Sequence, residues 1–216
     1  MNGRTRGRQI EWDGVPAADG LGCLCLEFVE QLVVRIFLPL AALSTVSLVI
    51  AFALGLTIDD PKVATSAVQA GVQYHFLTAL AALCFATLVH AIVLTYFMGT
   101  GRWIEETSNA YRLPANFYEG NQTIKYRTIP AMVGAFLLLL FTGAMGAAAD
   151  PASTMQSTGW LGLAPATLHL TFAICAVLIN VAVNYVEFLA LERNGEIVEQ
   201  VLAEVRKIRL EKGLAV

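Results

Sequence analysis

The chain carries little charge for its length. Of its 216 residues, 14% are charged and 56% are hydrophobic, whereas an ordinary soluble domain has about 25% charged and about 45–50% apolar residues. A water-soluble fold of this size cannot cover so much apolar surface with so few charges. The balance also excludes a disordered chain, and a net charge of −3 offers no basic surface to a nucleic acid. The composition therefore predicts an integral membrane protein.

Cysteine is also scarce, and the four cysteines do not form a recognisable pattern. Cys23 and Cys25 precede the first apolar stretch, and Cys84 and Cys175 lie within later ones. A single Cys-x-Cys pair with no second pair or nearby histidine is a weak metal signature. We therefore expect neither a disulfide framework nor a metal site.

Four stretches are long and apolar enough to cross a bilayer as helices, which takes about 20 residues each. They are residues 33–56, 75–98, 129–149 and 165–189, here called spans one to four. The pattern predicts an all-α, polytopic membrane protein with a four-transmembrane-helix bundle at residues 33–189. Residues 1–32 form an N-terminal segment, and residues 190–216 extend the last helix as an amphipathic helix.

The basic residues predict the orientation of the spans. Of the fourteen Lys and Arg residues, only Lys62 lies between spans one and two, and none lies between spans three and four. The other thirteen lie on the opposite side, which the positive-inside rule makes cytoplasmic. The sequence therefore predicts a multi-pass protein of the cell (inner) membrane with both termini in the cytoplasm.

Two features suggest contacts beyond the lipid bilayer. The C-terminal helix has an apolar stripe that must be buried on the protein itself, on a partner or on the membrane surface; its members are Ile197, Val201, Val205 and Ile208. Span three has a seam of small residues that could serve a homo-oligomer or a membrane complex; it comprises Gly134, Gly143 and Gly146.

Polar residues within the spans lie on two helical faces. In span four the face comprises His169, Ala173, Ala176, Asn180, Asn184 and Glu187, and in span two it comprises His75, Ala79, Ala82, Ala86 and His90. Small residues allow helices to approach, and polar groups find partners across them. We therefore expect spans two and four to face each other or a shared interior.

Counting along the helices places these polar groups in two layers. His75 and His169 share a level near the outer surface, while His90, Asn184 and Glu187 lie about 22 Å deeper, at a rise of 1.5 Å per residue. Arg35 enters span one at the level of Glu187, so we expect these two side chains to neutralise each other. With Asn180, the inner group forms either an ion pair or a polar path.

The residues leave several functions open. The leading interpretation is a membrane scaffold or accessory protein that is not an enzyme. In the first alternative, His75 and His169 are the axial ligands of a haem b, an arrangement that resembles membrane b-type cytochromes in using histidines from facing helices. A second is a proton or ion path along Asn180, Asn184, Glu187 and His90. A third is a membrane enzyme using His90 and Glu187.

The two halves of the chain do not predict an internal repeat. Each half contributes two spans, and Pro39 and Pro130 occupy similar places in spans one and three. Two prolines alone are not sufficient to indicate a duplication.

Overall fold

The described part of the chain consists of four long helices. The computed structural model describes the backbone of residues 20–58, 65–155, 157–160 and 162–214, with side chains from residue 35 onward. The helices are α1 (Gly20–Leu56), α2 (Ser66–Tyr111), α3 (Asn116–Ala149) and α4 (Pro165–Glu211). Each has a segment long and apolar enough to cross a membrane. This confirms the all-α class and the four apolar spans. Most of the predicted N-terminal segment, with the Cys23 and Cys25 side chains, lies outside what is described.

Local sequence explains where the helices begin and end. The Thr65 side chain accepts a hydrogen bond from the Val68 amide at 3.3 Å and caps the start of α2. α2 ends where Arg112 adopts a left-handed conformation, two residues before Pro114. Pro165 begins α4, a position where its missing N–H costs nothing. Pro39 and Pro130 lie inside α1 and α3 without ending them.

The helices that contain spans two and four extend well beyond those apolar spans. α2 has 46 residues and α4 has 47, so each is about 70 Å long. Their extensions and the start of α3 share an apolar cluster, made of Ile104, Phe117, Val198, Val201, Leu202 and Val205. Val201 and Val205 of the predicted stripe are thus buried on the protein's own helices, whereas Ile197 and Ile208 are partly exposed.

The packing brings α2 and α4 together. α1 and α3 each pack against both α2 and α4, and α2 also contacts α4 directly. We call the end where α1 joins α2 and α3 joins α4 the hairpin end, and the other the opposite end. Near the hairpin end, Ala82 and Ala86 of α2 and Ala176 of α4 share one buried cluster. The two small-residue faces therefore meet, as expected.

Candidate functional site

His75 and His169 lie side by side near the hairpin end. Their ring centroids are 5.9 Å apart, and the ring planes are nearly perpendicular at 81°. His75 is the tenth residue of α2 and His169 is the fifth of α4, and both are half-buried. The structure therefore brings together the two histidines that the sequence places at one level.

Each ring donates a hydrogen bond to the backbone of the preceding helix. His75 Nδ1 lies 2.8 Å from the Ala51 carbonyl oxygen of α1, and His169 Nδ1 lies 3.0 Å from the Thr142 carbonyl oxygen of α3. A carbonyl oxygen only accepts, so Nδ1 carries the hydrogen and the neutral ring keeps its lone pair on Nε2. This is how the second nitrogen of a metal-binding histidine is commonly held.

A glycine makes room for each ring. A Cβ atom on Gly55 would lie 3.0 Å from His75 Cε1, and a Cβ atom on Gly146 would lie 3.0 Å from His169 Cε1. These distances are too short for a normal carbon contact, so a larger residue would displace the ring. Gly146 thus faces the interior, whereas its predicted seam partners Gly134 and Gly143 are exposed.

The two histidine sites are built in the same way, although the sequence does not predict an internal repeat. In each half, the first helix contains a proline. The residue whose carbonyl accepts the histidine hydrogen bond lies twelve residues after that proline, and the glycine beside the ring lies sixteen residues after it. The matching positions are Pro39 and Pro130, Ala51 and Thr142, Gly55 and Gly146, and His75 and His169. Proline positions alone could not reveal the match, because the role of the intervening carbonyls is visible only in three dimensions.

A second polar group is buried at mid-length of α2 and α4. His90 Nδ1 lies 2.7 Å from Glu187 Oε1, and neither side chain is exposed beyond 7%. His90 Nε2 lies 3.4 Å from Asn180 Nδ2, and Asn184 Nδ2 donates to Asn180 Oδ1 at 3.4 Å. The Glu187 Oε2 atom has no hydrogen-bond partner. We call these four residues the buried polar cluster.

The prediction that Glu187 pairs with Arg35 was wrong. The carboxylate of Glu187 pairs with His90, whereas the Arg35 side chain is exposed. Counting residues gives the level of a side chain along a helix but not its direction, and Arg35 points outward from α1.

A third polar group was missed by the sequence analysis. Asn121 Nδ2 donates to Asn194 Oδ1 at 2.6 Å, and Asn194 Nδ2 donates to Thr100 Oγ1 at 3.1 Å. Both asparagines are fully buried, and a Cβ on Gly101 would lie 2.7 Å from Asn121 Oδ1. These residues lie beyond the predicted spans, where the sequence pattern gave no reason to expect an interior.

Within the described residues, no cluster of three or more His, Cys, Asp or Glu side chains could hold a metal ion by itself. A ligand at the hairpin end would therefore depend on the two imidazoles. Comparisons of this chain with protein-family models, curated proteins and solved structures found no match.

Proposed function

We propose that this chain is an integral membrane haem protein in which His75 and His169 are the two axial ligands of a haem b. The observation that carries the proposal is the pair of neighbouring imidazoles, each of which donates Nδ1–H to a backbone carbonyl and leaves the lone pair of Nε2 available to a metal.

The separation of the rings fits two ligands on one iron. Two imidazoles on opposite sides of a metal have centroids about 6 Å apart, since each bond is about 2 Å and the ring centre lies about 1 Å behind the nitrogen. The observed separation is 5.9 Å. Histidine is a common ligand of haem iron, so the two imidazoles would be sufficient to hold a b-type haem.

The surroundings of the rings also suit a haem. Ala82 and Ala176 are buried between α2 and α4, and Ala79 and Ala173 lie one turn nearer the histidines on the same faces. These small side chains let α2 and α4 approach closely beside the histidines, which holds the two rings at one level. Bound there, the haem would supply one-electron oxidation and reduction. The protein's own residues orient the two imidazoles and set their tautomer through Ala51 and Thr142.

The proposal places the four helices in the cell membrane as a bundle with both termini in the cytoplasm. The support is the distribution of the fourteen Lys and Arg residues, of which thirteen are on the side of the termini. In this orientation the hairpin end is external, and the histidine pair lies near the outer surface.

A titration of the purified, haem-free protein with haemin tests the ligand assignment. We expect the wild type to bind one haem per chain with a shifted Soret band, and His75→Ala and His169→Ala each to lose that band. His90→Ala, which removes the remaining histidine, is the matched control: it lowers stability, but below its unfolding midpoint it should bind haem as the wild type does. A histidine pair that is only structural would leave binding the same in all four proteins, or absent in all four.

The buried polar cluster supports a second candidate function, the transfer of protons through the membrane. Glu187 Oε1 and His90 Nδ1 are 2.7 Å apart, so a proton can move between two ionisable groups held away from water. Asn180 and Asn184 continue this polar face toward His169. Intramembrane carboxylates and histidines are the common relay groups of pumps and carriers.

Proton uptake into liposomes that contain the protein distinguishes this second candidate. With an imposed membrane potential, a proton carrier acidifies the lumen, and Glu187→Gln should abolish the acidification. His169→Ala is the control, because it alters the proposed haem site and leaves the cluster intact. Equal rates in wild type and Glu187→Gln would exclude a role for the carboxylate in proton transfer.

A further inference from the structure

A cavity of about 480 Å³ opens between α2 and α3 toward the opposite end of the protein. It is separate from the histidine pair and from the buried polar cluster. Both cations and carboxylates line it, among them Arg102, Lys125 and Glu105, together with the rings of Tyr118 and Tyr126.

The Lys125 side chain is the unusual feature of this cavity. Lys125 is 8% exposed, and no carboxylate pairs with it within the described residues. Its ammonium lies 5.1 Å from the centre of the Tyr126 ring. A cation that lines a cavity and has no carboxylate partner can bind an anionic group by a charge-assisted hydrogen bond. Gln122, which also lines the cavity, has a buried Oε1 atom with no hydrogen-bond partner.

The remaining charges of the cavity are not equivalent. Arg102 donates to Glu106 at 2.9 Å in an ion pair whose side chains are 81% and 65% exposed. Glu105 has no ion pair among the described residues and is exposed. The cavity thus offers one cation, Lys125, and one carboxylate, Glu105, to a ligand.

The position of the cavity indicates the environment of that ligand. Met98 ends the apolar part of α2 and Ile129 begins that of α3, so the cavity lies at their polar boundary. Met98 and Tyr126 are 57% and 67% exposed at its rim. Phospholipid headgroups and tyrosine rings meet at this boundary of a membrane protein.

We propose that this cavity binds the headgroup of phosphatidylethanolamine. The phosphate pairs with the ammonium of Lys125, and the primary ammonium of the lipid pairs with the carboxylate of Glu105. Basic sites between transmembrane helices commonly hold phospholipid phosphates, and the free carboxylate selects a headgroup that also carries an amine. The proposal requires that the helices span a membrane and is independent of haem binding.

Lipid binding to the delipidated protein in detergent tests the proposal. Thermal unfolding is followed while phosphatidylethanolamine, phosphatidylcholine, phosphatidylglycerol or inorganic phosphate is added. For the wild type we expect phosphatidylethanolamine to bind about fivefold more tightly than the other two lipids, as one exposed ion pair allows. Lys125→Met should lose the response to all three lipids. Glu105→Gln should respond equally to all three.

Lys207→Met, which removes an exposed lysine of α4, is the control and should behave as the wild type does. If Lys125→Met does not fold, the exposed Glu105→Gln variant decides the outcome alone. An unchanged lipid preference in Glu105→Gln overturns the proposal, as does an unchanged response in Lys125→Met. Inorganic phosphate that reproduces the full stabilisation would identify a site for a free anion and would equally overturn it.

Discussion

At the residue scale, the glycines beside the histidines have as direct a role as the histidines themselves. Each helix that receives an Nδ1–H bond also carries the glycine against which the ring packs. A ring that is hydrogen-bonded at one nitrogen and confined at its edge has little rotational freedom. This preorganisation favours ligand binding, because less conformational entropy is lost when the ligand arrives.

We predict that Gly146→Ala weakens haem binding by about tenfold, because overpacking a confined site costs typically about 1–3 kcal/mol. The new Cβ would lie 3.0 Å from His169 Cε1. Gly143→Ala is the matched control, since a Cβ there has nothing within 4 Å. Haemin titration of both variants provides the measurement, and equal affinities would show that the contact does not restrict the ring.

The His90–Glu187 pair leads to a stability prediction. Removing one member of a buried pair leaves the other without its partner, which costs about 3–5 kcal/mol. We expect His90→Ala and Glu187→Ala each to lower the unfolding midpoint strongly, and the double variant to lower it by less than the sum. A double-mutant cycle in detergent measures this coupling. Additive losses would mean that the 2.7 Å contact contributes nothing.

At the element scale, the extensions of α2 and α4 form an apolar core outside the predicted spans. Leu202 is 2% exposed within that core, whereas Leu210 is 66% exposed on the same helix. We expect Leu202→Ala to cost about 2–5 kcal/mol of unfolding free energy, as in other cores. Leu210→Ala should change it little. Similar midpoints for the two variants would show that the extension does not pack against Ile104 and Phe117.

The helices themselves were largely predictable. The ends of α1 and α3 at Leu56 and Ala149, and the start of α4 at Pro165, coincide with the predicted limits of their spans, because apolar length and proline are visible in the sequence. The extension of α4 beyond span four, to Glu211, also follows from the amphipathic pattern of residues 190–216. The start of α3 at Asn116 could not be predicted, because the polar stretch before span three has no apolar periodicity that would indicate a helix.

The candidate sites were predictable only in part. Helical spacing correctly assigned the faces of α2 and α4, because the period of a helix determines which residues share a face. The same reasoning failed for Arg35, whose direction depends on how α1 is rotated against its neighbours. The roles of Gly55, Gly146 and the two carbonyls could not be inferred, since they depend on contacts between different helices.

At the scale of the whole molecule, two similar hairpins each contribute one histidine to a single site between them. This arrangement explains why α2 and α4 are in contact while α1 and α3 provide the supporting carbonyls. At mid-length the two helices differ. His90 lies fifteen residues after His75, and the residue at the same distance after His169 is Asn184. The two halves therefore share residue types at the hairpin end and differ at mid-length.

The orientation of the molecule in the membrane is a separate prediction. We expect a reporter fused at Thr158 to be external and one fused at the C-terminus to be cytoplasmic, because the basic residues flank the termini. Paired alkaline phosphatase and fluorescent-protein fusions measure this. A cytoplasmic signal at Thr158 would reverse the orientation and place the histidine pair near the inner surface.

The central claim is that His75 and His169 together hold a haem, and the reduced-minus-oxidised absorption spectrum of the purified protein tests it most directly. A haem with two imidazole ligands gives a sharp α-band on reduction. We predict this band at one haem per chain in the wild type, and no band when both histidines are replaced by alanine. A wild type that folds and still shows no haem spectrum after haem is supplied would contradict the claim. A double variant that keeps the same α-band would contradict it as well.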